Sequence, residues 1–256
     1  MPQNNKLPKI TALAITLNEE SNVKRYIESL SFVDEIIFID SQSTDKTTAI
    51  AEEMGAKVLL RKFDDYSSQR NYAISQAKND WIIFFDLDEI ISEEIQIEIQ
   101  EKVSNPGENV AFYVKRNFFL FNKHLKHGGF QHDKAIRLFN KNFCIYNGNL
   151  VHEEIKTEGT IGILAHSVDH LSYKNFDHYC RKLNFYCKLQ ASKLYEKKTK
   201  PNLYHFIIKP TYRFLWQYFY RLGILDGKEG FLSAKVNSFF VFKRYLELWL
   251  LNNNIK

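Results

Sequence analysis

Residues 81–89 read Trp-Ile-Ile-Phe-Phe-Asp-Leu-Asp-Glu, a run of strong strand formers that ends in carboxylates. Such a run predicts a strand that is buried on both faces, as in parallel sheets. On an extended chain Asp86 and Asp88 point the same way, and they repel each other unless one is protonated or a cation lies between them. The stretch therefore predicts a cation-binding strand end, with the alternative that Asp88 caps a helix beginning near Ser92.

The residues before this strand alternate between strand and helix patterns. Strands are predicted at 10–17, 35–39 and 57–60, and helices at 18–30, from Ser43 or Thr44 to Met54, and at 67–77. Strands that alternate with helices predict a parallel sheet covered on both faces, with ligands beyond the carboxyl ends of the strands. The predicted fold class is therefore α/β.

The residues that follow the first two strands are polar. They read Thr16-Leu17-Asn18-Glu19 and Asp40-Ser41-Gln42-Ser43-Thr44-Asp45. A carboxylate at Asp40 can accept a hydrogen bond from a base or ribose, although aspartate is also a common turn or N-cap residue. Arg70, on the third helix, suits a diphosphate if it reaches this edge, and is otherwise solvated.

In this order, the motifs resemble those of glycosyltransferase family 2 over roughly residues 9–100. The resemblance implies the GT-A fold, a Rossmann-like, mostly parallel sheet with flanking helices, and inverting transfer from a nucleotide sugar. It implies that Asp40 binds uracil or ribose and that Arg70 lies near the base and diphosphate. It also implies that Asp88 holds Mg²⁺ or Mn²⁺ on the donor diphosphate, with Asp86 beside it. The implied donor-binding residues are Thr16, Asn18, Glu19, Asp40, Ser43, Arg70, Asp86, Leu87 and Asp88.

The second half of the chain has a different pattern. Residues 110–165 predict shorter strands and loops, and the chain from about Asn175 predicts helices to its end. This half resembles the lipopolysaccharide inner-core transferases of family 2, which add β-1,4-linked glucose to the first heptose. The motifs are Arg137-Leu138-Phe139, Val151-His152-Glu153, His170 and residues 210–228. The resemblance implies UDP-glucose as donor and an inner-core heptose as acceptor.

These patterns predict two domains. Residues 1–170 are predicted to form the GT-A catalytic domain, with a donor-binding half at about 9–100 and an acceptor half at about 101–170. Residues 171–256 are predicted to form a basic, aromatic helical extension.

Inverting transfer needs one general base on the acceptor hydroxyl. Glu153 is the predicted base, and Asp133 is the second candidate. His152 and Arg137 are predicted to contact the acceptor or a phosphate. A surface or N-cap pair remains the alternative for His152 and Glu153, as does a structural ion pair for Arg137.

Charge is unevenly distributed along the chain. Residues 1–110 contain 11 Lys/Arg and 20 Asp/Glu, whereas residues 111–256 contain 24 and 10. The basic half includes aromatic stripes at helical spacing within 211–222 and 239–249, which suit either core packing or the surface of an anionic membrane. Because the sequence has neither a signal peptide nor an apolar run that could span a bilayer, we predict a cytoplasmic protein that is peripheral on the inner face of the bacterial inner membrane. The predicted acceptor is a lipid-linked saccharide.

The sequence leaves other interpretations of the function open. Within enzymes, the acceptor could be polyprenyl-linked or belong to a capsule or O-antigen. From another class, the chain could be an inactive nucleotide-sugar-binding protein, which the intact Asp86 and Asp88 pair disfavours. No nucleic-acid-binding motif accompanies the basic half, so we predict no nucleic-acid partner. The eight histidines and three cysteines show no zinc-ligand spacing or disulfide framework.

Overall fold

The structure, a computed structural model, describes residues 8–148, 154–173 and 175–255. Its first part alternates strands with helices, and the predicted α/β fold class is confirmed. These elements are β1 (Ile10–Thr16), α1 (Glu20–Glu28), β2 (Glu35–Asp40), α2 (Thr47–Glu53), β3 (Lys57–Leu60), α3 (Tyr66–Gln76) and β4 (Trp81–Ile83).

The strands β1 to β4 are mutually parallel. β1 lies between β2 and β4, and β2 also pairs with β3. Alternate residues pack into two cores: Ala12, Phe38 and Ile83 enter one, while Leu13 and Ile37 enter the other. Burial on both faces explains why β1, β2 and β4 are largely apolar runs, whereas the edge strand β3 is only partly buried. The parallel pairing brings the ends of β1, β2 and β4 to one edge of the sheet.

The chain continues with strands of mixed direction. These elements are β5 (Glu89–Ile90), α4 (Glu93–Ser104), β6 (Asn109–Leu120), β7 (Lys123–His124), β8 (Lys134–Asn140), β9 (Cys144–Tyr146), β10 (Ile155–Thr157) and β11 (Thr160–His170). In the described residues the main sheet has the order β3-β2-β1-β4-β8-β6-β11-β5, with β7 on β6. β8 is antiparallel to both β4 and β6, and β5 is antiparallel to β11. The prediction of shorter strands at 110–165 is wrong for β6 and β11, which have 12 and 11 residues.

Two helix starts differ from the prediction, for the same local reason. Asn18, expected in α1, has φ +56°, and its side-chain oxygen accepts the backbone N–H of Thr44 at 2.8 Å. Ser43, expected to cap α2, donates its hydroxyl to Asp40 at 2.6 Å. The loops after β1 and β2 are therefore joined to each other, and α2 begins only at Thr47.

The chain divides into two compact units. One contains the described residues within 1–116 and 134–170, and the other those within 117–133 and 171–256. The helical prediction for the C-terminal part is confirmed, beginning where the side chain of Asn175 caps the first helix by accepting the N–H of His178. Its elements are α5 (Phe176–Glu196), a π-helical turn (Tyr204–Ile208), α6 (Lys209–Leu215), a second π-helical turn (Trp216–Tyr220), a 3₁₀ turn (Gly223–Asp226) and α7 (Gly227–Asn252).

Glu98 ties α4 to β11. Its buried carboxylate accepts the N–H groups of Ala165 and His166 at 2.7 and 3.0 Å, and lies 2.8 Å from Nδ1 of His166. Burial alone raises the pKa of Glu98, but these hydrogen bonds outweigh it and lower the pKa below 4.5. A carboxyl whose folded pKa is lowered stabilises the fold above its unfolded pKa, and this contribution is lost as the pH falls through the folded pKa.

We therefore expect Glu98→Gln to lower the free energy of unfolding by about 1–2 kcal/mol at pH 7, because an amide oxygen accepts these bonds less strongly. The deficit should narrow as the pH falls below about 4.5, where the carboxyl of the unfolded wild-type chain begins to protonate, and close as the pH passes the lower folded pKa. Urea unfolding followed by circular dichroism at several pH values measures both effects. Glu101→Gln, on an exposed position of the same helix, is the matched control and should change little. A deficit that stays constant with pH would contradict the assignment.

Candidate active site

Helix α1 fixes the chain just after β4. The hydroxyl of Tyr26 donates to the carbonyl of Phe85 at 3.1 Å, and Arg25 donates to the carbonyl of Leu87 at 3.0 Å. Burial raises the pKa of Tyr26 well above its ordinary value, so its hydroxyl stays a donor. The side chain of Leu87 is buried in the core. The predicted donor contact of Leu87 stays a prediction.

Asp86 lies between two arginines. Nη2 of Arg70 is 3.2 Å from one carboxylate oxygen, and the guanidinium of Arg137 binds the other. Burial alone raises the pKa of Asp86, but Arg137, Arg70, Arg116 and His170 outweigh it and hold that pKa well below its ordinary range. Asp86 is therefore ionised, and its charge is balanced by the protein's own guanidinium groups.

Arg137 is an internal residue of the site, only 2% exposed. Its Nη2 is 2.6 Å from Glu89, and its Nη1 donates to the carbonyl of Phe84 at 3.1 Å. Arg137 was predicted to contact acceptor or phosphate. Its burial and these partners fit the ion-pair alternative, and the contact with acceptor or phosphate stays a prediction.

Glu89 completes this buried network. Arg116 lies 3.5 Å from one of its oxygens, and the other accepts the N–H of Asp86 at 3.0 Å. Burial and the charge of Asp86 raise the pKa of Glu89, against the opposing effect of Arg137. Sequence reasoning gave Glu89 and Arg116 no role. The only signal was that Glu89 directly follows the paired aspartates.

Asp88 faces a histidine from a distant strand. Nε2 of His170 is 3.4 Å from Oδ2 of Asp88, because the pairing of β5 with β11 sets His170 opposite Glu89. The Asp88 side chain is 25% exposed, so it is reachable from solvent, whereas Glu89 is not. Among the described residues, no group of three or more His, Cys, Asp or Glu side chains is arranged to hold a metal. One or two protein carboxylates are enough to bind Mg²⁺ where substrate phosphates supply the other ligands.

The ends of β1 and β2 form a second polar cluster. The carboxylate of Asp40 accepts the hydroxyl of Thr16 at 2.9 Å and the N–H of Ser43 at 2.7 Å. The Ser43 hydroxyl in turn accepts the N–H of Asn18 at 2.8 Å. Asp40 is fully buried, and these hydrogen bonds join the two loops. Its predicted contact with a base or ribose stays a prediction.

The remaining predicted site residues are Glu19, Asp133, His152 and Glu153, which belong to different parts of the chain. Glu19 accepts a hydrogen bond from Asn22 at 2.7 Å, and its N–H binds Thr47. Asp133, the second candidate base, belongs to the second unit. His152 and Glu153 lie outside the described residues, so the predictions made for them stay untested.

Residues 11–155 match the sequence model of the family described as "Glycosyl transferase family 2". This chain belongs to glycosyltransferase family 2. A family 2 glycosyltransferase is an enzyme that transfers a sugar, and the predictions of an enzyme and of this family are confirmed. The matched residues include the paired aspartates, Arg70 and Arg137, but not His170.

Two related proteins align with nearly the whole of this chain. An uncharacterized glycosyltransferase of Rickettsia felis is 30% identical, covering 97% of this chain and 91% of that protein. A protein of Rhizobium meliloti named lipopolysaccharide core biosynthesis glycosyltransferase LpsC is 29% identical, covering 93% and 90%. Glucosyl-3-phosphoglycerate synthase from Mycobacterium tuberculosis, solved with Mn²⁺ and UDP, aligns over 44% of each chain with 25% identity and a TM-score of 0.37.

Proposed function

We propose that this transferase moves glucose from UDP-glucose to a heptose of the lipopolysaccharide inner core, with inversion and with a divalent metal ion. The observation that carries the metal-dependent step is the pair of Asp88 and His170 at the carboxyl edge of the parallel strands. The relation to the Rhizobium meliloti core transferase supports the acceptor class. UDP-glucose and heptose are inferred from motif resemblance.

The chemistry of the donor set fits a divalent ion. Asp88 offers a partly exposed carboxylate and His170 an imidazole nitrogen 3.4 Å away. Mg²⁺ and Mn²⁺ favour carboxylate oxygen and take further ligands from phosphate and water, so Asp88 would hold the ion and His170 would lie beside it. Asp86 is already neutralised by Arg70 and Arg137, which makes Asp88 the better ligand of the two. When bound, the ion neutralises charge on the departing diphosphate.

The remaining roles follow from charge and position. Asp86 and Glu89 keep the buried arginines in place, and thereby keep the edge around Asp88 in one conformation. Glu153 is our proposed general base, drawing the proton from the acceptor hydroxyl as the new bond forms. Asp133 remains the second choice, because it too lies in the half predicted to bind the acceptor.

We place the protein in the cytoplasm, peripheral on the inner face of the inner membrane, where lipid-linked acceptors are exposed to soluble donors. In the described residues no helix is long and apolar enough to cross a bilayer. The basic C-terminal half supports contact with anionic lipid.

A donor panel tests this function. The enzyme is incubated with UDP-glucose, UDP-galactose, UDP-N-acetylglucosamine and GDP-mannose, each with Mn²⁺, with Mg²⁺ and with chelator. Release of nucleoside diphosphate is followed with and without a heptose-terminated core acceptor. We expect turnover of UDP-glucose that requires metal and rises on adding the acceptor.

Two alternatives give different outcomes. Transfer only to a polyprenyl-linked, capsular or O-antigen saccharide would keep the reaction and change the acceptor. Tight donor binding that is indifferent to chelator, with no turnover on any acceptor, would favour an inactive nucleotide-sugar-binding protein.

A further inference from the structure

The helical segment at 204–220 presents apolar side chains to solvent. Six of its exposed apolar residues lie on one side of the helix, and we call them the apolar face: Tyr204, Ile207, Ile208, Tyr212, Leu215 and Phe219. Each is between 47% and 63% exposed. The opposite side carries the buried residues Pro210 and Gln217. A surface helix normally turns its polar residues to water, so this helix has the reverse arrangement.

Apolar exposure continues along the chain beyond this segment. Leu222, Ile224 and Leu225, which follow the second π-helical turn, are between 45% and 64% exposed. Phe231 and Leu232, at the start of α7, are also exposed. Scattered apolar residues on a surface need no explanation, whereas a concentration of this kind indicates an interaction site.

Cations stack on the aromatic rings of the same segment. The guanidinium of Arg221 lies 4.5 Å from the ring centre of Trp216. Lys209 lies 5.7 Å from the ring centre of Tyr204. Residues 201–256 contain eight Lys/Arg and three Asp/Glu, a net charge of +5. Aromatic rings beside cations suit the headgroup region of a bilayer, and the charge selects anionic lipid.

We propose that the apolar face docks onto the surface of an anionic phospholipid bilayer, with the helix lying in the plane of the interface. The docking extends the proposed function by naming the surface that brings the enzyme to a lipid-linked acceptor. Its link to the acceptor rests on the proposed function, whereas the binding to lipid does not. The net positive charge favours lipid over a second copy of this chain, because two identical basic surfaces would repel each other.

Vesicle sedimentation tests the docking without donor or acceptor. The full chain is mixed with vesicles of phosphatidylcholine alone or with phosphatidylglycerol, at low and high salt. We expect binding to require the anionic lipid and to weaken at high salt. The variant Ile208→Gln/Tyr212→Gln, which keeps all charges, should bind at least about tenfold more weakly.

The control is Leu60→Gln/Ile97→Gln, which removes two apolar residues from the first unit that are 70% and 57% exposed. This variant should bind vesicles like the wild type. Equal binding by both variants, or no binding by the wild type, would overturn the proposal. So would concentration-dependent self-association that the apolar-face variant abolishes, because the face would then belong to a second copy. Release of nucleoside diphosphate from UDP-glucose should be unchanged in both variants, so a failure of docking is distinguishable from a failure of the proposed function.

Discussion

Replacing Asp88 with Asn is expected to lower turnover of the sugar donor by about 10²- to 10³-fold, the usual loss when a preorganised electrostatic contact to a developing charge is removed. The amide keeps the size of the side chain but gives up the charge that binds a divalent ion. The change should therefore also weaken Mn²⁺-dependent donor binding, which isothermal titration calorimetry measures independently of turnover. His170→Ala, which removes the neighbouring imidazole, should act in the same direction with a smaller effect.

The matched control for Asp88 is Asp80→Asn. Asp80 is exposed and lies just before β4, at the other end of the strand, so the same change of charge should leave activity and metal-dependent binding unaltered. Wild-type turnover in Asp88→Asn would remove Asp88 from the site. Lost turnover with metal-dependent donor binding intact would instead give Asp88 a role other than metal binding.

The parallel half of the fold could be predicted from the sequence because its signals are local. β1, β2 and β4 are apolar runs bounded by polar residues, and burial on both faces requires that composition whatever their neighbours. The helix starts were less predictable. Asn18 and Ser43 are residue types that commonly cap helices. In the structure each binds the loop that contains the other, and nothing in the local pattern indicates that contact.

The site was predictable only where its residues follow the parallel strands. Asp86 and Asp88 stand out because carboxylates follow a buried strand, and Arg70 because the family motif includes it. His170 was named among the family motifs without a role, and Arg116 was not named. They come from β11 and β6, whose antiparallel pairing depends on strand register rather than on local sequence. Arg137 illustrates the same dependence on register. β8 lies between β4 and β6, which buries Arg137 among carboxylates, and the local sequence does not indicate those partners.

The C-terminal helices show what periodicity leaves undecided. Helical spacing identified a stripe that includes Tyr212, Leu215 and Phe219, but spacing alone does not say whether a stripe faces a core or the solvent. In the structure these three side chains are exposed, and the buried side includes Gln217, which donates to Ser233 at 3.2 Å.

Replacing Arg137 with Met is expected to lower the free energy of unfolding by about 3–5 kcal/mol, the usual cost of breaking a buried ion pair from one side. The change leaves Glu89, whose side chain is fully buried, without its nearest cation. The pKa of Glu89 is already raised, and losing Arg137 removes a cause that lowers it. A carboxyl whose folded pKa is raised destabilises the fold as the pH rises through that pKa. The deficit should therefore be larger at pH 8 than at pH 5, as measured by urea unfolding.

Two further variants separate charge from packing. Arg137→Met/Glu89→Gln removes the uncompensated carboxylate along with the guanidinium. It should therefore recover part of the lost stability, and its remaining deficit should depend little on pH. Arg61→Met, which breaks the more exposed pair with Asp64, should cost at most about 1 kcal/mol. If Arg137→Met cost no more than Arg61→Met at either pH, the buried network would not stabilise this edge. A large cost that the double variant fails to reduce would instead assign the stability to the packing of the Arg137 side chain, and Asp86 and Asp88 would then depend on shape rather than charge for their positions.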